Sequence, residues 1–419
     1  MSPFPLSSFF FWPPPMRPLT PDLALWLTQG EAFQALAELR ERPLDGLATF
    51  GVLADLRTRY SEEAAAALLD QARLRHRASA KFGALADKLL FTEEALQQAS
   101  GLEIARYRAQ RFAPFARVAD LGCGIGGDAI ALAAVVDALL AIDLDPVRAI
   151  FAEHNLRRIP HASHVSVLEA DWTRYSVEGH AGAAFIDPDR RPNGQRVFSL
   201  AESLPPLSTL LDLQQRLPHL AIKTMPGIAD EEIPAHCSVE WISVAGALKE
   251  AVLWFGDLRG EGERVATLLH EGVGWSIDER ALPHHAPAVS APRHWLWEPD
   301  DALIRASLVT ALVPMLDASQ IDPQIAYLTS DEWRPTPFAR GWPILADAPF
   351  NLKRLNQMLR ERHAKVIAVK KRGSPVEPER FRRRLYSDRE GTPVTVFLTQ
   401  HRDQPWMVIG GEEKQEMPA

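Results

Sequence analysis

Cysteine is scarce in this sequence. Cys123 and Cys237 are the only two among 419 residues. Two thiols cannot form a disulfide framework or a cysteine-based zinc site. Small domains stabilised by disulfides or by cysteine-bound zinc are therefore excluded. The adjacent His284 and His285 have no ligand partner at a sensible spacing, and we expect no bound metal. A low cysteine content is typical of proteins in a reducing compartment, and we expect a cytoplasmic protein.

The sequence also lacks a long hydrophobic run. The apolar patch Phe9–Trp12 has no basic residue before it and is followed directly by prolines. This pattern excludes a signal peptide, and the patch is much shorter than the roughly 20 residues that cross a membrane as a helix. We therefore expect a disordered tail over residues 1–18 and no membrane partner.

Positive charge is in deficit overall but is concentrated in one stretch. The formal net charge of -8 argues against polyanion binding by the whole surface. Between residues 353 and 384, however, twelve lysines and arginines face only three acidic residues, and Phe381 and Tyr386 lie among or beside them. Basic residues interleaved with aromatic ones are typical of surfaces that follow an RNA backbone.

The composition and the hydrophobic pattern predict a globular chain of several parts. Hydrophobic residues make up 46% and charged residues 24%, close to the soluble average. Residues 19–110 have helical spacing, and Thr92 and Ser100 are placed to begin helices. Over 111–292, about seven short apolar runs, several separated by helical patterns, predict a mostly parallel sheet. Residues 293–412 mix both patterns and predict a small α/β domain.

A glycine-rich loop stands where a predicted strand ends and a helix begins. Its sequence is VADLGCGIGGD over 118–128. Glycines let the backbone pass close to a ligand, and the helix N-terminus offers N–H groups to an anion. The spacing of Gly122, Gly124 and Gly127 also fits a dinucleotide site, with Asp143 placed to bind a ribose. The loop alone therefore predicts a nucleoside-type cofactor and leaves its identity open.

Four aspartates favour one of these cofactors. Asp120 precedes the loop, and Asp143, Asp171 and Asp187 each end one of the next three predicted strands. Each could be an ordinary turn residue, but their order at successive strand ends favours a binding site. A carboxylate can accept hydrogen bonds from ribose hydroxyls or from an adenine amino group.

Asp120 to Gly126 resembles the D/E-x-G-x-G-x-G motif of class I S-adenosylmethionine-dependent methyltransferases. The resemblance implies a Rossmann-like, mostly parallel sheet and S-adenosylmethionine as the cofactor. It also implies that Asp143 binds the ribose, that Asp171 contacts the adenine amino group, and that Asp187 lies beside the transferred methyl. The implied cofactor-binding residues are Asp120, Gly122, Gly124, Gly126, Asp143 and Asp171, joined by Thr92 and Gln97 from the preceding segment.

A longer resemblance, from about Lys81 to Gly410, is to bacterial methyltransferases with a C-terminal THUMP-like domain. It rests on KFGALADKLLFTEEALQQASGLEIARYRAQRF, AIKTMPGI, GALKEAVLWFG and AVKKRGSPVEPERFRRRL. By analogy with true THUMP domains, it implies an RNA substrate. The predicted catalytic residues are Asp187 and Pro188, and the predicted substrate-binding residues are Arg190, Arg191, Lys223, Glu250, Lys370, Lys371 and Arg372.

The chemistry of the acceptor is less clear from the sequence. Enzymes of this fold that methylate exocyclic amines usually have Asp/Asn-Pro-Pro followed by an aromatic residue. This chain has DPDRR over 187–191, without the second proline and the stacking ring. We expect methylation of a nucleobase nitrogen in RNA. The alternatives are an NAD-dependent oxidoreductase and a non-catalytic RNA-binding protein with a degenerate site.

Overall fold

The structure, a computed structural model, describes residues 19–46, 48–160, 164–189 and 199–417. The tail predicted over 1–18 lies outside these residues. The described chain divides into two compact units, each interrupted in sequence. The first comprises the residues up to Ala105 together with Asp120–Ser176, and the second comprises Arg106–Ala119 together with the residues from Val177 onward.

The regular elements alternate between helices and strands from the middle of the chain onward. The helices are α1 (Pro21–Leu27), α2 (Gly30–Leu39), α3 (Ala48–Arg57), α4 (Glu62–Phe82), α5 (Glu93–Gln98), α6 (Leu102–Ala109), α7 (Gly127–Leu132), α8 (Pro146–Arg157), α9 (Leu207–Arg216), α10 (Asp301–Arg305), α11 (Leu312–Leu316), α12 (Leu352–Glu361) and α13 (Pro378–Arg382). The strands are β1 (Arg117–Leu121), β2 (Ala138–Asp143), β3 (Val165–Glu169), β4 (Ala183–Ile186), β5 (Leu220–Thr224), β6 (Ser238–Val244), β7 (Ala247–Trp254), β8 (Arg264–His270), β9 (Val273–Asp278), β10 (Trp295–Pro299), β11 (Ser319–Gln320), β12 (Leu328–Ser330), β13 (Ala339–Pro349), β14 (Ala364–Lys371), β15 (Thr392–His401) and β16 (Gln404–Gly410).

The predicted helical N-terminal region is present as α1 to α6. Its longest helix, α4, begins after Ser61, whose side chain accepts a hydrogen bond from the Ala64 amide, and ends at Gly83 with a positive φ. These are a serine N-cap and a glycine terminus of the usual kinds. The apolar stripe of this helix is buried, as its helical spacing predicts.

Helix starts near the glycine loop follow local capping rules, with one exception. Thr92 caps α5 by accepting from the Ala95 amide, and Asp145 caps α8 by accepting from the Arg148 amide. The predicted start at Ser100 is one residue early. Helix α6 begins at Leu102, so Gly101 directly precedes it.

The central sheet has nine strands in the order β3-β2-β1-β4-β5-β7-β6-β8-β9. The pairs β2/β3, β4/β5 and β6/β8 are parallel, whereas β7 runs antiparallel to β5 and β6. The predicted Rossmann-like, mostly parallel sheet is confirmed. The order 3-2-1-4-5 reverses direction at β1, which is where α/β sheets of this kind bind ligands at the carboxyl ends of their strands.

The sheet is larger than the seven strands expected. The two additional strands, β8 and β9, form an antiparallel pair within residues 256–293, which the sequence predicted to be a linker or a strand-and-loop segment. Glycine-rich, proline-rich sequence obscured the strand pattern there. Pairing between the two strands depends on tertiary structure, and the local sequence pattern does not reveal it.

The C-terminal sheet has seven strands in the order β11-β12-β10-β13-β16-β15-β14. Its strand pairs are antiparallel except for β14 and β15, which are parallel, and β14 is an edge strand. Helices α12 and α13 cover one face through a core that includes Leu355, Leu359, Val366, Phe381 and Val396. The predicted small C-terminal α/β domain is therefore present.

Candidate cofactor and substrate sites

The glycine loop forms an open cradle after β1. Gly122, Gly124 and Gly126 have φ angles of 80°, 57° and 84°, in the region that glycine adopts without strain. A Cβ at Gly124 would have no atom within 4 Å, so open space lies beside this backbone. A Cβ at Gly126 would contact the Leu156 side chain at 3.5 Å. Gly124 therefore leaves room for a ligand, whereas Gly126 allows α7 and α8 to pack closely.

Asp143 faces the same loop from the end of β2. Its Oδ2 accepts from the Gly124 amide at 2.8 Å and its Oδ1 from the Asp145 amide at 2.9 Å. The carboxyl is buried, and burial raises its pKa above the usual value despite these two bonds. Because each carboxylate oxygen has a second lone pair, Asp143 can still accept from the hydroxyls of a ribose.

Asp120 and Asp171 lie near the carboxyl ends of the two strands on either side of β2, inside β1 and two residues after β3. Asp120 is buried within β1. The Ala170 amide donates to the Asp143 carbonyl, so Asp171 follows at the same edge of the sheet. Its Oδ1 accepts from the amide and hydroxyl of Thr173, and these bonds lower its pKa. Asp171 is therefore a turn residue that also lies near the end of a strand, so the structure agrees with both interpretations of its sequence position.

The amide groups of the loop are mostly used within the protein. Those of Gly122 and Cys123 donate to the Ile142 carbonyl, and that of Gly126 donates to the Cys123 carbonyl. The Gly124 amide bonds Asp143, as described above. These four amides hold the loop against β2 and close its turn.

Leu144 lies beside the glycine loop and Asp143, and Thr92 and Gln97 were predicted to bind the cofactor there. Leu144, which the sequence analysis missed, lies directly after Asp143 and is 71% exposed. An exposed apolar side chain here gives the flat face of a base a surface to pack on. Thr92 caps α5, and Gln97 donates to Glu93 at 3.0 Å within the same helix. Roles for Thr92 and Gln97 in cofactor binding stay predictions.

The second unit holds the predicted catalytic residues. Asp187 follows β4, and its Oδ2 accepts from the Lys223 ammonium on β5 at 2.6 Å. The Lys223 side chain is 5% exposed and that of Asp187 is 21% exposed, so only the carboxylate reaches solvent appreciably. Pro188 is buried. The candidates Arg190 and Arg191 lie outside the described residues.

Glu250, a predicted substrate contact on β7, is paired inside the protein. It forms a buried ion pair with Arg108 of α6, whose guanidinium also lies 4.9 Å from the ring centroid of Phe185. Arg108 was not predicted from the sequence, because an arginine within a helical pattern gives no indication that it is buried. Both charges are balanced within the fold.

The three predicted C-terminal contacts divide between two faces of β14. Lys370 pairs with Glu298, and the Arg372 guanidinium lies 3.7 Å from Glu298 and 3.3 Å from Asp301. Lys371 is exposed. Alternate residues of a strand point to opposite faces, which explains why one of three consecutive basic residues is exposed while its neighbours are paired.

The expected aromatic component of the basic stretch is wrong for Phe381. Phe381 is buried in the core beneath α13, and Tyr386 packs against the same core. Helix α13 places one apolar side chain inward and its arginines outward, which is ordinary amphipathic packing. Phe381 is therefore not placed to stack on a base, and Tyr386 is only partly exposed beside the basic residues.

The described ranges contain no group of three or more His, Cys, Asp or Glu side chains placed to hold a metal ion. None of the helices found there is both long and apolar enough to cross a membrane.

The comparisons with known proteins identify the family. Residues 339–412 match a family model described as THUMP domain-like. Two Mycobacterium tuberculosis proteins, from strains CDC 1551 / Oshkosh and ATCC 25618 / H37Rv, are 36% identical over 357 residues, covering 82% of this chain and 95% of each relative. Both are described as uncharacterized S-adenosylmethionine-dependent methyltransferases. A crystal structure of a candidate methyltransferase from Porphyromonas gingivalis W83 shares the fold, with a TM-score of 0.75, 19% identity and coverage of 92% of this chain and 98% of that one.

The chain therefore belongs to the S-adenosylmethionine-dependent methyltransferases. It is an enzyme, and S-adenosylmethionine is its cofactor. This membership decides against the NAD-dependent alternative. The residues of the first unit fit the group: an open glycine backbone, a buried acid with remaining acceptor capacity and an exposed apolar side chain suit an adenosine moiety. When bound, the cofactor supplies an activated methyl group.

Proposed function

We propose that the enzyme transfers the methyl group of S-adenosylmethionine to RNA, and that the acceptor is a nucleobase nitrogen. The main support is a surface of the C-terminal domain that is rich in exposed cations. The proposal also assigns Asp187 to the acceptor and the glycine loop to the cofactor.

The cationic surface, which we call the basic edge, is formed by α12, β14 and the segment around α13. It consists of ten exposed side chains: Lys353, Arg354, Arg360, Lys365, Lys371, Arg380, Arg382, Arg383, Arg384 and Arg389. Within the described part of the chain, none of them forms an ion pair. None of the ten cations is therefore neutralised by direct pairing with an acid of the described chain.

Hydrogen bonds tie the elements of the basic edge together. The Asn356 side chain on α12 donates to the Arg384 carbonyl and accepts from the Tyr386 amide. The Arg382 guanidinium donates to the Val366 carbonyl on β14. These bonds fix α12, the segment around α13 and the edge strand, which carry the ten cations, relative to one another.

This surface suits the RNA backbone better than the bases. Guanidinium and ammonium groups bind phosphates, and binding releases the counterions condensed on the nucleic acid. Base stacking needs exposed aromatic rings, whereas Phe381 is buried in the core and Tyr386 is half-buried against it. We therefore infer that the basic edge holds RNA without reading its sequence, and that selection of the acceptor takes place elsewhere.

Asp187 and Lys223 give the acceptor site its chemistry. The Lys223 ammonium fixes Asp187 through Oδ2, while no described residue donates to Oδ1. A carboxylate oxygen held in this way can accept a hydrogen bond from an N–H group of the substrate. Such a bond aligns the nitrogen lone pair for in-line attack on the methyl carbon, and alignment is the main requirement of this reaction.

The RNA proposal is tested with two matched triple variants. Lys371→Ala/Arg380→Ala/Arg383→Ala removes three cations of the basic edge, whereas Arg106→Ala/Arg117→Ala/Arg402→Ala removes three exposed arginines elsewhere that also have no ion pair among the described residues. The first should reduce the salt dependence of RNA binding by about 2 log units per log of salt, at about 0.7 for each phosphate contact on a single strand. The second should leave it nearly unchanged.

Binding and chemistry are separated by a transfer assay. Radiolabelled S-adenosylmethionine is incubated with the protein and total RNA from a strain that lacks it. Label in RNA, lost with Asp187→Ala, supports the proposal. Label in protein or a small molecule instead, or RNA binding that does not respond to salt, would refute the RNA assignment. RNA binding without any label would favour the non-catalytic alternative.

A further inference from the structure

A short extended segment lies buried just before α5. Leu89, Leu90 and Phe91 belong to no helix or strand, and all three are completely buried. Backbone groups without a sheet or helix partner are costly to bury unless side chains bond to them. The partners of this segment therefore show how it is held.

Buried side chains from two helices supply these bonds. From α4, Arg75 donates to the Leu89 carbonyl at 2.9 Å. Gln71, also from α4, donates to the Phe91 carbonyl at 2.6 Å and accepts from the Phe91 amide at 3.0 Å. From α8, Asn155 makes the same pair of bonds with Leu90, at 2.9 and 2.8 Å.

Asn155 makes one bond that Gln71 does not. Its Nδ2 also donates to the Ile125 carbonyl at 2.9 Å. Ile125 lies between Gly124 and Gly126, in the middle of the glycine loop. Both Nδ2 hydrogens of Asn155 are then used, and its side chain is completely buried, so its orientation is fixed.

We infer that Asn155 is a positioning residue for the cofactor, because it ties the glycine loop to the fixed segment Leu89–Phe91. The glycines on both sides of Ile125 permit many backbone conformations. Amides of the loop bond Ile142 and Asp143 of β2, and the bond from Asn155 adds a fixed point at the Ile125 carbonyl, between the two glycines. The Ile125 carbonyl is the point where α8 holds the loop through a side chain. The inference rests on the assignment of this loop to the cofactor.

Gln71 provides a matched control. Asn155→Ala and Gln71→Ala each remove an amide that makes two bonds to one residue of the buried segment. Only Asn155→Ala also removes the bond to the glycine loop. Both variants should unfold at lower urea concentration. A purely structural role predicts that they affect cofactor binding equally.

The measurement is the Kd for S-adenosylhomocysteine by titration calorimetry on the folded variants, with KM for S-adenosylmethionine as a second readout. Asn155→Ala should raise Kd about tenfold, equivalent to about 1.4 kcal/mol. Gln71→Ala should stay within about twofold of the wild type, which is less than half of that energy. KM should rise for Asn155→Ala with a smaller change in kcat, because the acceptor side is untouched.

Three results would overturn the inference. One is an unchanged Kd in Asn155→Ala, and another is an equal rise in both variants. If Asn155→Ala does not fold, Asn155→Ser gives the same comparison, because its shorter side chain cannot span the bonds to Leu90 and Ile125 together. The third result is a wild-type protein that fails to bind S-adenosylhomocysteine, which would overturn the loop assignment along with the inference.

Discussion

The buried ion pair between Arg108 and Glu250 gives a strong test of the second unit. The two side chains are 2% and 4% exposed, so both charges have lost nearly all their water. Removing one partner leaves the other charged and buried, which typically costs about 3–5 kcal/mol. Arg108→Met also removes the guanidinium from the face of Phe185. We expect Arg108→Met and Glu250→Gln each to lose about 3–5 kcal/mol, a large part of a typical stability of about 5–15 kcal/mol.

The double variant and a surface pair complete this experiment. Arg108→Met/Glu250→Gln removes both charges and should lose less stability than either single variant, since neither charge is left buried without the other. Arg216→Met breaks a pair with Glu178 whose side chains are 49% and 30% exposed, and it should cost less than about 1 kcal/mol. Urea unfolding followed by tryptophan fluorescence measures all four. Single variants that lose under about 1 kcal/mol, or a double variant that loses the sum of the singles, would refute the reasoning.

Two predictions concern pH. Burial, followed by the nearby Arg158 and Arg75, lowers the pKa of His154 from 6.5 to about 4. The unfolded chain therefore takes up this proton first, and stability present above pH 6.5 is lost as pH falls towards 4. Between pH 7.5 and 5, wild type should lose up to about 2 kcal/mol more than His154→Gln in urea unfolding, and parallel curves would contradict this. Because burial raises the pKa of Asp143, the affinity for S-adenosylhomocysteine should fall as pH falls towards that raised value. In calorimetric titrations, Asp143→Asn should bind more weakly at neutral pH and show a flatter profile, and equal profiles would exclude this role.

Local sequence was enough to predict the glycine loop and its surroundings. The loop, the strand end at Asp143 and the cap at Thr92 each depend on a few neighbouring residues. Capping and left-handed glycine conformations are properties of short segments, so a single sequence contains them. The family resemblance then identified the cofactor.

Pairings between distant residues could not be predicted in this way. Arg108 and Glu250 are 142 residues apart, and Asn155 and Ile125 are 30 apart. No periodicity in the sequence records such a pairing, because only the folded sheet brings the partners together. The sequence of a short helix also does not show which of its sides faces the core, which is why Phe381 was expected on the surface.

The central claim is that the cofactor lies against the glycine loop, and titration calorimetry with S-adenosylhomocysteine tests it most directly. Wild type should bind one equivalent. Gly124→Ala places a methyl group in the open space at φ +57°, and it should abolish binding while costing only about 1–2 kcal/mol of stability. Gly46→Ala adds the same group at φ +52°, again with no atom within 4 Å, and should bind like wild type. Unchanged binding in Gly124→Ala, or equal losses in both variants, would contradict the account.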